Sequence, residues 1–260
     1  MLSEKDLIRY SRQVIIPDID EQGQEILISQ KILIVGAGGL GCPVGLYCAA
    51  AGFGNIEIWD NDVIELSNLN RQIAHQTNDI GLNKAKSLEI KCSQINSSIS
   101  IKSKNLIFDE NSEVKKFDII FDCTDNIETR YKINKLAHNN KKLLISGSAT
   151  QFEGQVLVIK SGINKSYPCY ECVFPKTTEN ELNFNCRNAG ILGSVTSFIA
   201  SIQVTEAIRE ILRLNKHNIK KKNNFYLQKS NANYLILYDA SLQEMNKIKL
   251  NKNLHCKTCN

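Results

Sequence analysis

The chain has 260 residues, 42% of them hydrophobic and 23% charged, with a formal net charge of +5. That is enough for a sizeable core in a single domain spanning 1–260, and it leaves no room for a third. Lys and Arg are scattered apart from Lys220-Lys221-Lys222, read as a solvated loop tip, and no interleaving of basic and aromatic residues marks a nucleic-acid surface. No run approaches the roughly 18 uninterrupted apolar residues of a membrane span, and residues 1–10 lack the basic and apolar segments of a signal peptide. The expected compartment is therefore the cytoplasm, where nine cysteines stay reduced.

Ser3-Glu4-Lys5-Asp6 has the form of a capping box that opens a first helix, and Asp18 predicts a second through about Ser29. The pattern then alternates between strand and helix. Residues 31–35 read as a buried parallel strand, 40–51 as a helix stopped by Gly52, 56–59 as a strand and 82–95 as a helix. Strands over 99–102 and 117–121, a helix over 126–138 and a strand over 142–145 continue the alternation. After Ser146-Gly147-Ser148 the strand at 154–159 has no preceding helix, so the sheet is expected to turn mixed. A long helix over 189–214 and antiparallel strands at 225–229 and 234–238 follow. The fold class is α/β: a Rossmann-like doubly wound sheet, parallel in its N-terminal half and continued by antiparallel strands. Its parts are N-terminal helices (1–30), a nucleotide-binding half (31–150) and a second half (151–260) that carries paired cysteines.

Those cysteines are Cys169-x-x-Cys172 and Cys256-x-x-Cys259, 87 positions apart. Zinc prefers four tetrahedral thiolates, and a two-residue spacer lets one tight turn present two of them, so the pairs predict one closed structural zinc site. Such a site ties the C-terminal segment to the middle of the chain, where closing a long loop removes much entropy from the unfolded state. Cys42, Cys48, Cys92 and Cys123 lie in or beside apolar runs and read as core.

Gly36-Ala37-Gly38-Gly39-Leu40-Gly41 follows a predicted strand and opens a predicted helix, so its amides can cradle phosphates. That pattern suits ATP and NAD alike, and Asp60, at the end of the next strand, can bind ribose hydroxyls of either. Asp62 can serve the site or merely bond loop amides. Arg71 and Lys84 can reach a polyphosphate over the loop, or be surface charges. Asp125 lies at the carboxyl edge of the sheet, where such folds bind ligands; with Glu128 it also has the form of a helix cap, and it can equally hold magnesium. Cys186, just before the long helix, reads as a packing residue or as a thiol activated by a helix N-terminus.

Arg9-Tyr10-Ser11-Arg12-Gln13, the glycine loop, Asp60-Asn61-Asp62, Ser67-Asn68-Leu69-Asn70-Arg71-Gln72, Lys84, Cys123-Thr124-Asp125-Asn126 and the two cysteine pairs occur in this order. Together, from about residue 3 to residue 259, they resemble the bacterial, ubiquitin-activating-enzyme-like adenylyltransferases of the ThiF/MoeB/HesA family, which charge sulfur carriers for thiamine or molybdopterin biosynthesis. The resemblance implies ATP on Gly36, Gly38, Gly39 and Gly41, with Asp60 on its ribose. Asp62, residues 67–72 and Asn126 would be further nucleotide contacts, Arg71 and Lys84 would bind phosphates, and Asp125 would hold Mg2+. It implies a homodimer in which Arg12 reaches the partner subunit's site, and a crossover loop, carrying Cys186, that covers the carrier's tail and in some members links to it covalently. Residues 151–260 become the carrier-binding half, and zinc at Cys169, Cys172, Cys256 and Cys259 would hold the cover in place.

The implied substrate is a small ubiquitin-like sulfur-carrier protein with a Gly-Gly C-terminus. Its carboxylate attacks the α-phosphate, pyrophosphate leaves, and the acyl-adenylate later becomes a thiocarboxylate. With no rhodanese-like segment after Cys259, a separate sulfur donor is expected. The competing readings are adenylation of a short peptide or another ubiquitin-like protein, and an NAD-dependent oxidoreductase, which would leave Arg71, Lys84 and the cysteine pairs unexplained.

Overall fold

The computed structural model describes residues 1–176, 190–215 and 230–260. Runs of Ile, Leu and Val form strands because β-branched and large apolar side chains pack well on a pleated surface. In chain order the elements are α1 (Glu4–Arg9), α2 (Ser11–Val14), α3 (Asp20–Ser29), β1 (Lys31–Val35), α4 (Gly41–Ala51), β2 (Asn55–Trp59), α5 (Lys84–Ile95) and β3 (Ser100–Lys104). Then come β4 (Ile119–Asp122), α6 (Ile127–Asn139), β5 (Leu143–Thr150), β6 (Glu153–Ile159), α7 (Tyr170–Val173), α8 (Gly193–Leu214), β7 (Tyr234–Asp239) and β8 (Glu244–Lys249).

The strands form one sheet in the order β3-β2-β1-β4-β5-β6-β7-β8. The first five are parallel, and β6, β7 and β8 add on antiparallel. Because side chains alternate along a strand, Ile32, Ile34, Ile56, Ile58, Ile119 and Phe121 bury against one face. Leu33, Val35, Trp59, Ile120 and Leu144 bury against the other. Helices α4, α5 and α8 pack on the first side with Val44, Leu88 and Ile199; Tyr131 and Ile133 of α6, with Tyr170 of α7, cover the second. Each fully buried side chain of this kind contributes roughly 1.5–3 kcal/mol.

Register decides where the loops emerge. Val35 pairs with both Trp59 and Asp122, so the turns after β1, β2 and β4 leave the sheet at one level. The strand order reverses between β1 and β4, which opens a crevice at the carboxyl ends of the strands.

Several boundaries differ from the sequence reading. The first helix breaks at Tyr10 into α1 and α2, although the Ser3–Asp6 capping box is formed. Helix α3 begins at Asp20 rather than Asp18: Asp20 has φ +50, and its carboxylate accepts from the backbone of Gln22 and Gly23. Strand β5 runs on to Thr150 rather than ending at 145, because Ser146-Gly147-Ser148 continues in antiparallel pairing with β6. Helix α8 starts at Gly193, since Gly190 and Leu192 are engaged in backbone bonds with Gln151. Strand β8 was not expected at all: every residue in it is exposed, so it carries no apolar alternation. The expected strand at 225–229 and the Lys220–Lys222 loop tip lie outside the described residues. Cys42, Cys48, Cys92 and Cys123 are buried free thiols, as read. Among the described residues no helix is long and apolar enough to cross a membrane.

Candidate active site

The crevice at the switch point is a cleft of about 570 Å³. Its floor is the turn after β1. Gly36 has φ +94, a conformation side chains rarely adopt, and a β-carbon there would lie 2.8 Å from the Cys123 carbonyl oxygen. A β-carbon on Gly41, the first residue of α4, would lie 1.8 Å from the Gly36 carbonyl oxygen. The loop is thus pressed between the β4 turn and the start of α4, and both closures need glycine. Gly38 and Gly39 line the cleft itself, while Gly41 is buried beneath it.

Asp60 fixes the loop from the side. One carboxylate oxygen accepts the Ala37 N–H at 2.7 Å and the other the Asp62 N–H at 2.8 Å. Burial pushes its pKa above the ordinary carboxylate value despite those bonds. Asn83 caps α5 by accepting from Lys86 N–H, and its amide also donates to the Asp60 and Asp62 carbonyls. This ties the residue after β2 to the first turn of α5. Lys84 opens that helix and is buried, with Nζ 2.7 Å from Asp62 Oδ2.

Arg71 is aimed by its own segment: Nη1 donates to the Ser67 carbonyl at 3.0 Å and to Asn70 Oδ1 at 3.1 Å. Of the residues from 67 to 72, only Arg71 and Gln72 line the cleft. Ser67 and Asn70 hold Arg71, and Asn68 is buried in a turn whose side chain accepts the Glu65 N–H. Leu69 does not line the cleft either. Gln72 is buried at 3% exposure, and its Oε1 has no hydrogen-bond partner among the described residues.

On the opposite wall, Asp125 and Asn126 separate their two possible roles. Asn126, not Asp125, is the cap of α6, accepting the Thr129 N–H at 3.0 Å. The exposed Asp125 side chain lines the cleft instead. Arg130, one turn into α6 and buried, also lines it; its guanidinium donates to the Thr124 carbonyl and lies 4.0 Å from Asp122. Sequence reading missed Arg130, whose only signal was its position in the first turns of the helix after Asp125. It also missed the apolar end of the cleft: Trp59, Leu106, Phe108, Tyr170 and Phe174. These come from three separate stretches of the chain, and no local pattern announces them. Arg12 is exposed and stands apart, in a separate hollow with Tyr10, Gln13 and Ala50. Cys186 lies outside the described residues.

The four predicted cysteines converge, with all sulfurs within 4.8 Å of one another. Cys169 Sγ lies 3.5 Å from Cys256 and 3.9 Å from Cys172, and Cys172 lies 3.4 Å from Cys259. Sulfurs at the corners of a tetrahedral zinc site are about 3.8 Å apart, so the donor set fits a Zn2+ ion. Burial pushes Cys169 up and Cys259 up to about 12; at Cys256 burial is outweighed by donors from the Thr258 and Cys259 backbone, which leave it below the ordinary thiol value. Four thiolates in one buried cluster require a cation. The cluster is also not remote from the cleft. Tyr170, between two of its cysteines, lines the cleft, donates its N–H to Asn134 Oδ1 at 2.9 Å, and stacks edge-on against Tyr131.

A 3-2-1-4-5 parallel order with a glycine turn and a polar cleft at its switch point defines a Rossmann-like α/β protein. The sequence pattern of the ThiF family matches residues 10–258, and the chain belongs to that family. It is 38% identical over 262 residues to the adenylyltransferase and sulfurtransferase MOCS3 of Anopheles gambiae, covering 99% of this chain and 56% of that one. Against the Culex quinquefasciatus protein of the same name it is 42% identical over 214 residues, 81% of this chain and 48% of that one. The chain thus spans about half the length of the curated relatives it matches. Among solved structures, E. coli MccB with MccA-N7isoASN superposes with a TM-score of 0.78 at 22% identity, covering 99% of this chain and 75% of that one. E. coli MccB with ATP gives 0.76 at 22% identity, covering 97% and 73%. These similarities to solved structures show the shared fold.

Proposed function

We propose that this chain is a nucleotidyltransferase that uses ATP to adenylate the C-terminal glycine of a small ubiquitin-like sulfur-carrier protein, releasing pyrophosphate. The observation that carries the reading is the gathering of the glycine loop, Asp60, Arg71, Lys84 and Asp125 around one cleft. ATP in the E. coli MccB structure and adenylyltransferase in the names of the MOCS3 relatives support it.

In this reading the phosphates lie over Gly38 and Gly39, and Asp60 accepts ribose hydroxyls. The aromatic end at Trp59 and Phe108 holds the base. The attacking group is a carboxylate, already ionised near neutral pH, so no general base is needed. The obstacle is anion against anion. Lys84 and Arg71 supply positive charge to the phosphates as charge develops on the departing pyrophosphate. Asp125 is the carboxylate suited to hold Mg2+, which takes one or two carboxylates together with phosphate oxygens. Arg12 does not face its own chain's cleft, and in a homodimer it would serve the partner's. Cys169, Cys172, Cys256 and Cys259 would hold Zn2+, and the closed cluster would steady the aromatic wall through Tyr170. Cys186 is assigned to the covering segment as a possible covalent acceptor of the carrier, and a separate protein would donate sulfur for thiamine or molybdopterin synthesis in the cytoplasm.

The deciding experiment mixes the protein, ATP and Mg2+ with candidate carriers ending in Gly-Gly, and weighs the carrier by mass spectrometry. Expected is a carrier-adenylate that Lys84→Ala forms about 10²–10³-fold more slowly while keeping its fold. A carrier that never gains mass, beside a short peptide that does, would move the reading to peptide adenylation. Nicotinamide turnover would replace it altogether.

A further inference from the structure

Three segments supply the groups that face the cleft's polar end: the glycine loop, the stretch of Arg71 and Gln72, and the first turn of α5 with Lys84. They meet at a side chain that lies outside the cleft. His75 is 5% exposed, three residues after Gln72, with its backbone N–H on the Gln72 carbonyl at 3.0 Å. Its Nε2 is 3.1 Å from the Ala37 carbonyl oxygen in the glycine loop, and its Nδ1 is 2.9 Å from Ser87 Oγ, one turn after Lys84 on α5. A carbonyl oxygen only accepts, so Nε2 carries the proton; Nδ1 of the neutral ring is then an acceptor for the Ser87 hydroxyl, shared with Asp79 Oδ2 at 3.3 Å from the same oxygen. Burial lowers the imidazole pKa from 6.5, which favours this neutral form. Cys42 completes the pocket: its Sγ is 3.3 Å from the Ala37 oxygen and 3.4 Å from Nε2.

We propose that His75 is a positioning residue that sets the spacing of the three phosphate-facing segments. This deepens the ATP reading above and rests on it. Ala37 is held from both sides: its N–H goes to Asp60 at 2.7 Å and its carbonyl to His75. Rotation of the Ala37 peptide would redirect the amides of Gly38 and Gly39, and the imidazole bond opposes that rotation. A histidine that merely filled the core would bond to scaffold groups. This one bonds to the loop backbone and to the helix that begins with Lys84.

The test is a titration with ATP and, separately, adenosine, which shares the ribose but carries no phosphate. Trp59, the chain's single tryptophan, lines the cleft and reports binding by its fluorescence. His75→Leu removes both ring bonds and should weaken ATP about tenfold relative to adenosine, the loss of one to two hydrogen bonds. His75→Gln offers a donor and an acceptor at similar reach and should restore most of the difference. An unchanged ATP-to-adenosine ratio in His75→Leu, or equal loss for both ligands, overturns the proposal. Should His75→Leu not fold, Ser87→Ala serves: a lower ratio supports the role and an unchanged one refutes it. Wild-type protein that binds ATP no better than adenosine removes the underlying nucleotide reading, and the proposal with it.

Discussion

At the cleft the backbone itself closes the site, with Gly36 against the Cys123 carbonyl and Gly41 against the Gly36 carbonyl. At the cysteine cluster four side chains arrive from segments 87 positions apart, held by turns and one four-residue helix. The first region is shaped before any ligand arrives: Asp60, Asn83 and Asn126 satisfy the backbone around it. The second gathers four thiols, of which burial pushes Cys169 and Cys259 away from the charged form a metal needs. Preorganisation by hydrogen bonds makes a site whose variants lose chemistry and keep the fold. Assembly around a cation makes a site whose variants lose the fold.

The largest effect should come from the cluster. Cys172→Ser removes one of four ligands, and binding energy for a structural metal is folding energy. Metal analysis should fall from one zinc per chain to none, with the melting temperature down by roughly 10 °C or more. A variant that keeps its metal and its melting temperature breaks the comparison. An intermediate effect belongs to a third device, the buried pair of Lys160, after β6, and Glu210 on α8, 3.0 Å apart and both under 3% exposed at their side chains. Lys160→Met leaves that carboxylate buried with, among the described residues, Arg213, Ser230 and Asn231, and should cost about 3–5 kcal/mol in denaturant unfolding. Burial alone would raise Glu210, but the Ser230 hydroxyl and the Lys160 charge outweigh it and hold the carboxyl below its ordinary value of 4.5. Stability from this group is therefore complete above about pH 4.5 and lost as pH falls through the lower folded value. Glu210→Gln should flatten that part of an acid-unfolding curve, and an unchanged curve would remove Glu210 from the account. The smallest effects sharpen the cleft. Asn126→Ala deletes the α6 cap and should cost about 1 kcal/mol; Asp125→Asn next to it should leave melting unchanged while abolishing Mg2+-dependent adenylation. Equal melting losses in the two would return Asp125 to a structural role.

Much of this was legible in the sequence because it is local. The alternation of apolar runs and helices, the strand-glycine-helix turn and the paired cysteines depend on neighbours a few residues apart, and among the described residues each is present, with several element ends shifted. Strand β8 was invisible because a fully exposed edge strand has no buried face to write a pattern. The strand was read as ending at 145, where the apolar run stops, yet pairing with β6 carries it on through Ser146-Gly147-Ser148 to Thr150. Arg12 and residues 67–70 matched their motif without entering the cleft. A motif names residues by spacing, and whether each faces a ligand or holds a neighbour depends on the backbone around it.

The sequence by itself determined the order of elements, the doubly wound class, the identity of the metal-type cysteines and the glycine turn, all consequences of residue chemistry at short range. Only the tertiary structure decided that Asn126 rather than Asp125 caps α6, that Tyr170 joins the cysteine cluster to the cleft wall, and that His75 joins the loop to the helix of Lys84. Each is a contact between segments the chain separates widely or a choice between adjacent residues. Distance and direction, not residue type, settle both.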